Sequence, residues 1–123
     1  MNKVAVLIAA GSGMWADSAK ALAKDGYKIA IFSSSGKGEK LAKKLNGIGY
    51  TGSNLNQKDL EKFIKIVKNR WGRIDVLVNS AGHGPKGQIL KISDYEWVKG
   101  MEIYFLNVVR AIRLVTPIMK KQK

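Results

Sequence analysis

The 123-residue chain has no cysteine and one histidine, His83. Neither a disulfide framework nor a Cys/His zinc site can be built from it, and no metal site is expected. A cysteine-free chain fits a reducing compartment, and the cytoplasm is the expected location. No segment is apolar for long enough to span a bilayer, and no internal repeat, linker or low-complexity stretch divides the chain. Lys3 ahead of the apolar run 4–10 superficially resembles a secretory leader. That run is at the short limit for one and leads straight into a helical pattern, so it is read as part of the fold.

Acidic residues are also scarce, with 9 Asp and Glu against 22 Lys and Arg, for a formal net charge of +13. Such a charge raises nucleic acid or an anionic surface as a partner. The lysines are spread over every predicted helix, as at Lys40, Lys43, Lys44, Lys58, Lys62, Lys65 and Lys68, and no nucleic-acid-binding motif accompanies them. A specific nucleic-acid partner is therefore not expected, whereas a general attraction for phosphorylated ligands is. With 46% hydrophobic residues the chain can build a core, and residues 1–123 are read as a single domain.

What is there is organised around the first seventeen residues, MNKVAVLIAAGSGMWAD. The branched apolar run 4–10 breaks at Gly11 and Gly13 and passes into a small-residue helix, 16–24. Strand, glycine turn and helix in that order present backbone N–H groups and a helix N-terminus to a nucleotide phosphate. Ala10, Gly11, Ser12, Gly13 and Met14 are the candidate contacts. Asp25-Gly26 stops the helix and YKIAIF, 27–32, reads as a second strand. It ends in Ser33, Ser34, Ser35, Gly36 and Lys37, with no acidic residue to accept hydrogen bonds from ribose hydroxyls. Serines followed by Lys37 and Lys40 suit a 2′-phosphate, so NADP is favoured over NAD, although a polar turn capping the next helix accounts for the same residues.

A lysine-rich helix, 39–45, and a weak third strand, 47–51, come next. Asn56 caps a helix whose Leu60, Phe63, Ile64, Val67 and Trp71 repeat at helical spacing and read as core. The nearly all-apolar run 74–78 reads as a strand buried on both faces, with Asn79, Ser80, Ala81 and Gly82 in the loop at its carboxyl end. Ser93 to Glu96 is a capping box opening one last helix, with Pro117 near its end. Strands alternating with helices specify an α/β doubly wound parallel sheet, Rossmann-like.

Three stretches, AAGSGMW, WGRIDVLVNSAG and DYEWVKGMEIYFLNVVRAIRLVTPIM, resemble the N-terminal half of the short-chain dehydrogenase/reductases, a family of NAD(P)-dependent oxidoreductases. The resemblance runs the length of the chain. It implies a partial sheet of order 3-2-1-4 and hydride transfer between NADP(H) and an alcohol or carbonyl compound. It also implies cofactor contacts at Ser53 and Asn54 and along Asn79 to Gly82. The family's Thr-Gly-x-x-x-Gly-x-Gly turn falls on Ile8, Ala9, Gly13 and Trp15, so only Gly13 matches. An indole at the third glycine requires a shifted helix, a side chain swung outward, or weaker cofactor binding. The family's aspartate after the third strand falls on Ser53.

Of the family's Asn, Ser, Tyr and Lys tetrad, the asparagine position falls on Tyr104. Asn107 is the candidate substitute, expected one turn later on the same face. The serine and the Tyr-x-x-x-Lys pair would lie beyond Lys123. Replacement by Tyr95 or Tyr104 with a lysine needs a placed cation, because a phenol near pKa 10 is otherwise a poor acid/base at neutral pH. His83 reads as an ordinary loop histidine. The chain alone is accordingly expected not to catalyse hydride transfer. A carbonyl or alcohol substrate is expected only once a C-terminal half is supplied. The alternatives are a non-catalytic nucleotide-binding or interaction module or truncated remnant, or a basic phosphate- or nucleic-acid-binding protein. With the fourth strand at an edge, self-association is expected.

Overall fold

The computed structural model describes residues 2–80 and 84–122. Four strands form where branched and aromatic residues cluster: β1 Val4–Ile8, β2 Lys28–Ser33, β3 Ile48–Thr51 and β4 Val76–Asn79. They pair in parallel in the order β3-β2-β1-β4, the order expected. Every residue of β1 is buried, as a central strand between two helical layers requires.

The two-residue period of the strands divides the core. Val4, Val6, Ile8, Ala30 and Phe32 face one side and pack with Leu60, Phe63, Ile64 and Val67 of α3, Gln57–Trp71, and with Ala111 and Val115 of α5, Asn107–Gln122. Ala5, Leu7, Ile29 and Ile31 face the other, against Ala19 of α1, Gly13–Lys24, and Ala42 of α2, Lys37–Lys44. Phe32 stacks on Tyr50 at 5.7 Å and meets Phe63 at 5.4 Å. Alanines on α1 let it lie close to the sheet, and Trp71 packs against the first cluster as a core residue.

Helix ends follow the expected chemistry. Asn56 Oδ1 accepts from the N–H groups of Lys58 and Asp59 at 3.0 and 3.3 Å, and Gly72 ends α3 at φ 72°. Ser93 and Glu96 exchange the reciprocal bonds of a capping box at the start of α4, Asp94–Met101.

Two expectations need correction. The last helix is not continuous, because Glu102–Leu106 between α4 and α5 is a π turn. Asn107 Nδ2 donates to Ile103 O at 3.3 Å, satisfying a carbonyl in the widened turn, and Glu102 pairs with Arg110 across it at 2.7 Å. The fourth strand begins at Val76 rather than at residue 74. Ile74 is diverted, its N–H donating to Gln122 Oε1 at 2.7 Å while its carbonyl accepts from Gln122 Nε2 at 2.9 Å. A 3₁₀ turn, Ile89–Lys91, precedes α4.

Beside that clamp, Asp75 ties the start of β4 to β1. Its Oδ2 accepts from the N–H of Val4 at 2.8 Å and from Arg73 Nε at 2.8 Å, while its Oδ1 accepts from Arg73 Nη2. The Arg73 hydrogen bonds, aided by the Val4 N–H, hold the Asp75 carboxyl below the usual carboxylate range. A carboxyl whose pKa is lowered by folding stabilises the native state above its unfolded pKa, and that contribution is lost as pH falls through the folded value. Urea unfolding followed from pH 7 downward should therefore show a loss of stability below the usual carboxylate range. Asp75→Asn should cost about 1.5–3 kcal/mol at pH 7, the range for hydrogen bonds to a charged group, and should flatten that acid limb.

Candidate functional site

Ile8 lies level with Phe32 on one side and Asn79 on the other. The turns after β1, β2 and β4 therefore emerge together at the carboxyl edge of the sheet, where ligands of open α/β folds collect.

The turn after β1 is shaped by two left-handed residues, Ala9 at φ 66° and Gly13 at φ 63°. The conformation costs glycine nothing but costs a residue with a β-carbon about 1–2 kcal/mol. Ala9 is held there by its N–H, which donates to Phe32 O. Gly11 is required for a different reason: a β-carbon on it would stand 2.9 Å from Ser33 Oγ and 3.3 Å from the Gly38 nitrogen. Its bareness allows the β1–α1 turn to rest against the β2–α2 turn. Ser12 precedes α1 in extended conformation and makes no side-chain capping bond, so capping of the leading N–H groups of α1 is left to water or a ligand.

Trp15 is half-buried and packs against the core cluster beneath α1 and α2. The indole is thus taken up by the fold on the sheet-facing side of α1. Met14 is 78% exposed, and Ala10 is buried.

The serines after β2 divide in role. Ser33 is buried, and its hydroxyl donates to Ser35 O at 2.8 Å and accepts from the Ser35 N–H at 3.1 Å. It shapes the turn, while Ser34, Ser35 and Lys37 are exposed. Between α1 and α2 lies a cleft of about 400 Å³ lined by Gly11, Ser12, Gly13, Ala16, Asp17, Lys20, Lys37, Lys40, Leu41 and Lys44. The structure thereby brings the glycine turn and Lys37 together. Lys20 and Lys44, not singled out from sequence, join them. Their signal is helical spacing, with Lys37, Lys40 and Lys44 on one face of α2.

The other candidates line the same edge. After β3, Ser53 Oγ accepts from the Leu55 N–H and the Ser53 N–H donates to Asp59 Oδ2, both at 3.2 Å, so this serine is engaged in its own loop. Asn54 is half-buried beside it, and Asn79 and Ser80 are half-buried at the end of β4. Ala81, Gly82 and His83 lie outside the described residues.

Asn107 and Tyr104 do not share a face as expected. Asn107 is 3% exposed, whereas Tyr104 is 60% exposed. The π turn between them changes the angular step per residue, so three positions no longer return to the same side. Among the described residues Asn107 Oδ1 is buried without a hydrogen-bond partner. One Tyr-x-x-x-Lys spacing occurs within the chain, at Tyr95 and Lys99. Lys99 Nζ sits over the Tyr95 ring, 5.9 Å from its centroid, and the tyrosine is 72% exposed. The ammonium faces the ring, the arrangement of a surface cation–π pair. No cluster of acidic or histidine side chains suited to a metal occurs among the described residues, and no helix there is long and apolar enough to cross a membrane. The site gathers backbone N–H groups and lysine ammonium groups at the carboxyl edge of the sheet, the donors that suit a phosphate.

Known proteins are similar to this chain in sequence and in fold. Over 100% of its length the chain is 29% identical to the 3-oxoacyl-[acyl-carrier-protein] reductase FabG of Staphylococcus epidermidis, covering 53% of that protein. The structure of the 3-ketoacyl-(acyl-carrier-protein) reductase from Brucella melitensis complexed with NADH superposes with a TM-score of 0.89 at 26% identity, over 98% of this chain and 51% of that one. The actinorhodin polyketide ketoreductase with NADPH superposes with a TM-score of 0.83 at 25% identity, over 92% and 46% of the two chains. The chain thus spans about half the length of the relatives it matches. The family model for short chain dehydrogenase matches residues 3–123, and with the parallel sheet in the order 3-2-1-4, the chain belongs to the short-chain dehydrogenase/reductase family.

Proposed function

We propose that this chain is the cofactor-binding half of a dehydrogenase/reductase that takes NADP(H) in preference to NAD(H). The observation that carries this reading is the cleft in which the glycine turn and the start of α1 meet Lys37 and Lys40, with no carboxylate at the end of β2. In it, Ala10, Gly11, Ser12, Gly13 and Met14 follow the pyrophosphate, with the N–H groups at the start of α1 as donors. Ser34, Ser35 and Lys37 hold the 2′-phosphate on a turn that Ser33 stiffens. Ser53 and Asn54 border the adenine, and Asn79 and Ser80, continued by Ala81 and Gly82, border the ribose and nicotinamide side.

When bound, the nicotinamide supplies or accepts the hydride exchanged with an alcohol or carbonyl compound. Asn107 offers a buried acceptor with no partner, which fits the family asparagine's part in supporting a relay water. The family's serine and its tyrosine–lysine couple have no counterpart among these 123 residues, since Tyr95 and Lys99 are paired through the ring face. Turnover therefore requires a further polypeptide segment. The β4 edge and the exposed Tyr95, Val98, Met101, Tyr104 and Phe105 also suit self-association.

Titration of the chain with NADPH and NADH, followed by ligand fluorescence, tests the central claim. Saturable binding tighter for NADPH is expected, with Lys37→Gln lowering NADPH affinity about tenfold and leaving NADH nearly unchanged, the loss of one charge-assisted contact. A folded sample that binds neither cofactor overturns the reading.

Ala9→Gly should stabilise the fold. Relief of left-handed strain, about 1–2 kcal/mol, exceeds the roughly 0.4–1 kcal/mol that glycine adds to unfolded-state entropy, so a net gain of about 0.5–1 kcal/mol is expected in urea unfolding. Sedimentation over a range of concentrations should show dimers or larger species, and Phe105→Lys should shift the population toward monomer.

A further inference from the structure

We propose that the groove between α1 and α2 is a binding site for linear polyphosphate, held by Lys20, Lys37, Lys40 and Lys44. The groove begins at the glycine turn and follows α2 away from it. Lys37, Lys40 and Lys44 stand at positions i, i+3 and i+7, so their row rises about 10 Å along the helix. Lys20 lines the groove from α1. Ala16 and Leu41, buried and half-buried respectively, lie between the two rows.

The charges in this groove are not balanced by the protein. Among the described residues that line it Asp17 is the only carboxylate, 3.5 Å from Lys20, both of them exposed. Among the described residues Lys37, Lys40 and Lys44 form no ion pair. Four ammonium groups against one carboxylate leave the groove at +3, and like charges at i and i+4, as at Lys40 and Lys44, oppose the helix that carries them. A single 2′-phosphate at Lys37 would compensate one end and leave Lys20 and Lys44 untouched. An anion with charges repeated along its length compensates the row.

The lining also discriminates between polyanions. No aromatic side chain is among the ten residues that line the groove, so the bases of a single-stranded nucleic acid would have no ring to stack on. A chain of phosphates without bases needs none. Its first phosphate occupies the place given above to the 2′-phosphate of NADP(H), so the two ligands compete at Lys37. That competition rests on the cofactor reading, whereas polyphosphate binding itself does not.

The test is calorimetric titration of the full chain with sodium tripolyphosphate at fixed ionic strength, with two double variants of equal charge loss. Saturable binding is expected, weakened roughly tenfold or more in Lys20→Gln/Lys44→Gln and less than about twofold in Lys62→Gln/Lys65→Gln on α3, with helical circular dichroism unchanged in both. Absence of saturable binding by the folded wild type overturns the proposal. Equal weakening in the two double variants, the mark of general charge attraction, also overturns it. Tighter groove-dependent binding of a single-stranded oligonucleotide at the same ionic strength would reassign the groove to nucleic acid and overturn it too. Groove-dependent tripolyphosphate binding by a chain that does not bind NADPH upholds this proposal and defeats the cofactor reading, and NADPH binding with no tripolyphosphate binding does the reverse.

Discussion

The carboxyl edge of the sheet depends on how closely two turns approach each other. A β-carbon on Gly11 would crowd Ser33 Oγ and the Gly38 nitrogen, and one on Gly38 would stand 2.5 Å from Ser33 Cβ and 3.0 Å from Ile31 Cγ2. Two glycines facing one buried serine let α1 and α2 start side by side at the ends of β1 and β2. That proximity makes a cleft from what would otherwise be two separate turns, and it places Lys37 opposite the glycine turn. A side chain at either glycine would part the helices and separate the groups that bind phosphate. Ser33 contributes in the same way, since its small hydroxyl satisfies Ser35 locally and leaves the outward positions to Ser34, Ser35 and Lys37.

The turn after β1 shows how much departure from a family pattern this backbone absorbs. Where relatives place glycine, this chain has Ala9 and Trp15, and the two substitutions are handled differently. Ala9 keeps the left-handed conformation the turn demands, so its side chain is strained while the path of the chain is preserved. Trp15 sits on the helix in ordinary conformation, and its bulk is directed toward the apolar layer under α1 and α2. There an indole gains buried area, in a layer where the neighbouring α1 positions facing the sheet, Ala16 and Ala19, are small.

The architecture was legible in the sequence because its signals are local and repeated. Apolar runs mark β1 and β2, and Asn56 and the Ser93–Glu96 box mark helix starts through bonds made within a few residues. What escaped the sequence is what depends on contacts across the fold. Gln122 takes up the N–H and carbonyl of Ile74 from 48 positions away, and so moves the start of β4. Lys20 and Lys44 sit on different helices, and only the packing of α1 beside α2 brings them to one groove. The Tyr95–Lys99 spacing shows the reverse difficulty. The right residue types at the right separation form a ring-face pair, because spacing along a helix does not specify which end of the tyrosine the ammonium meets.

The π turn carries that point furthest. In an unbroken α-helix Tyr104 and Asn107, three positions apart, would lie on neighbouring sides of one face. Widening the helix over Glu102–Leu106 turns the tyrosine out to 60% exposure and the asparagine in to 3%. The interior thereby receives a small amide in place of a phenol. The amide's two ends are then used unequally: Nδ2 satisfies the Ile103 carbonyl, while Oδ1 stays buried and unpaired. Burying an unpaired carbonyl oxygen costs about 1–3 kcal/mol, more than the one Nδ2 bond returns. Among the described residues the amide is thus only half satisfied, and the bond from Nδ2 is what ties it to the widened turn.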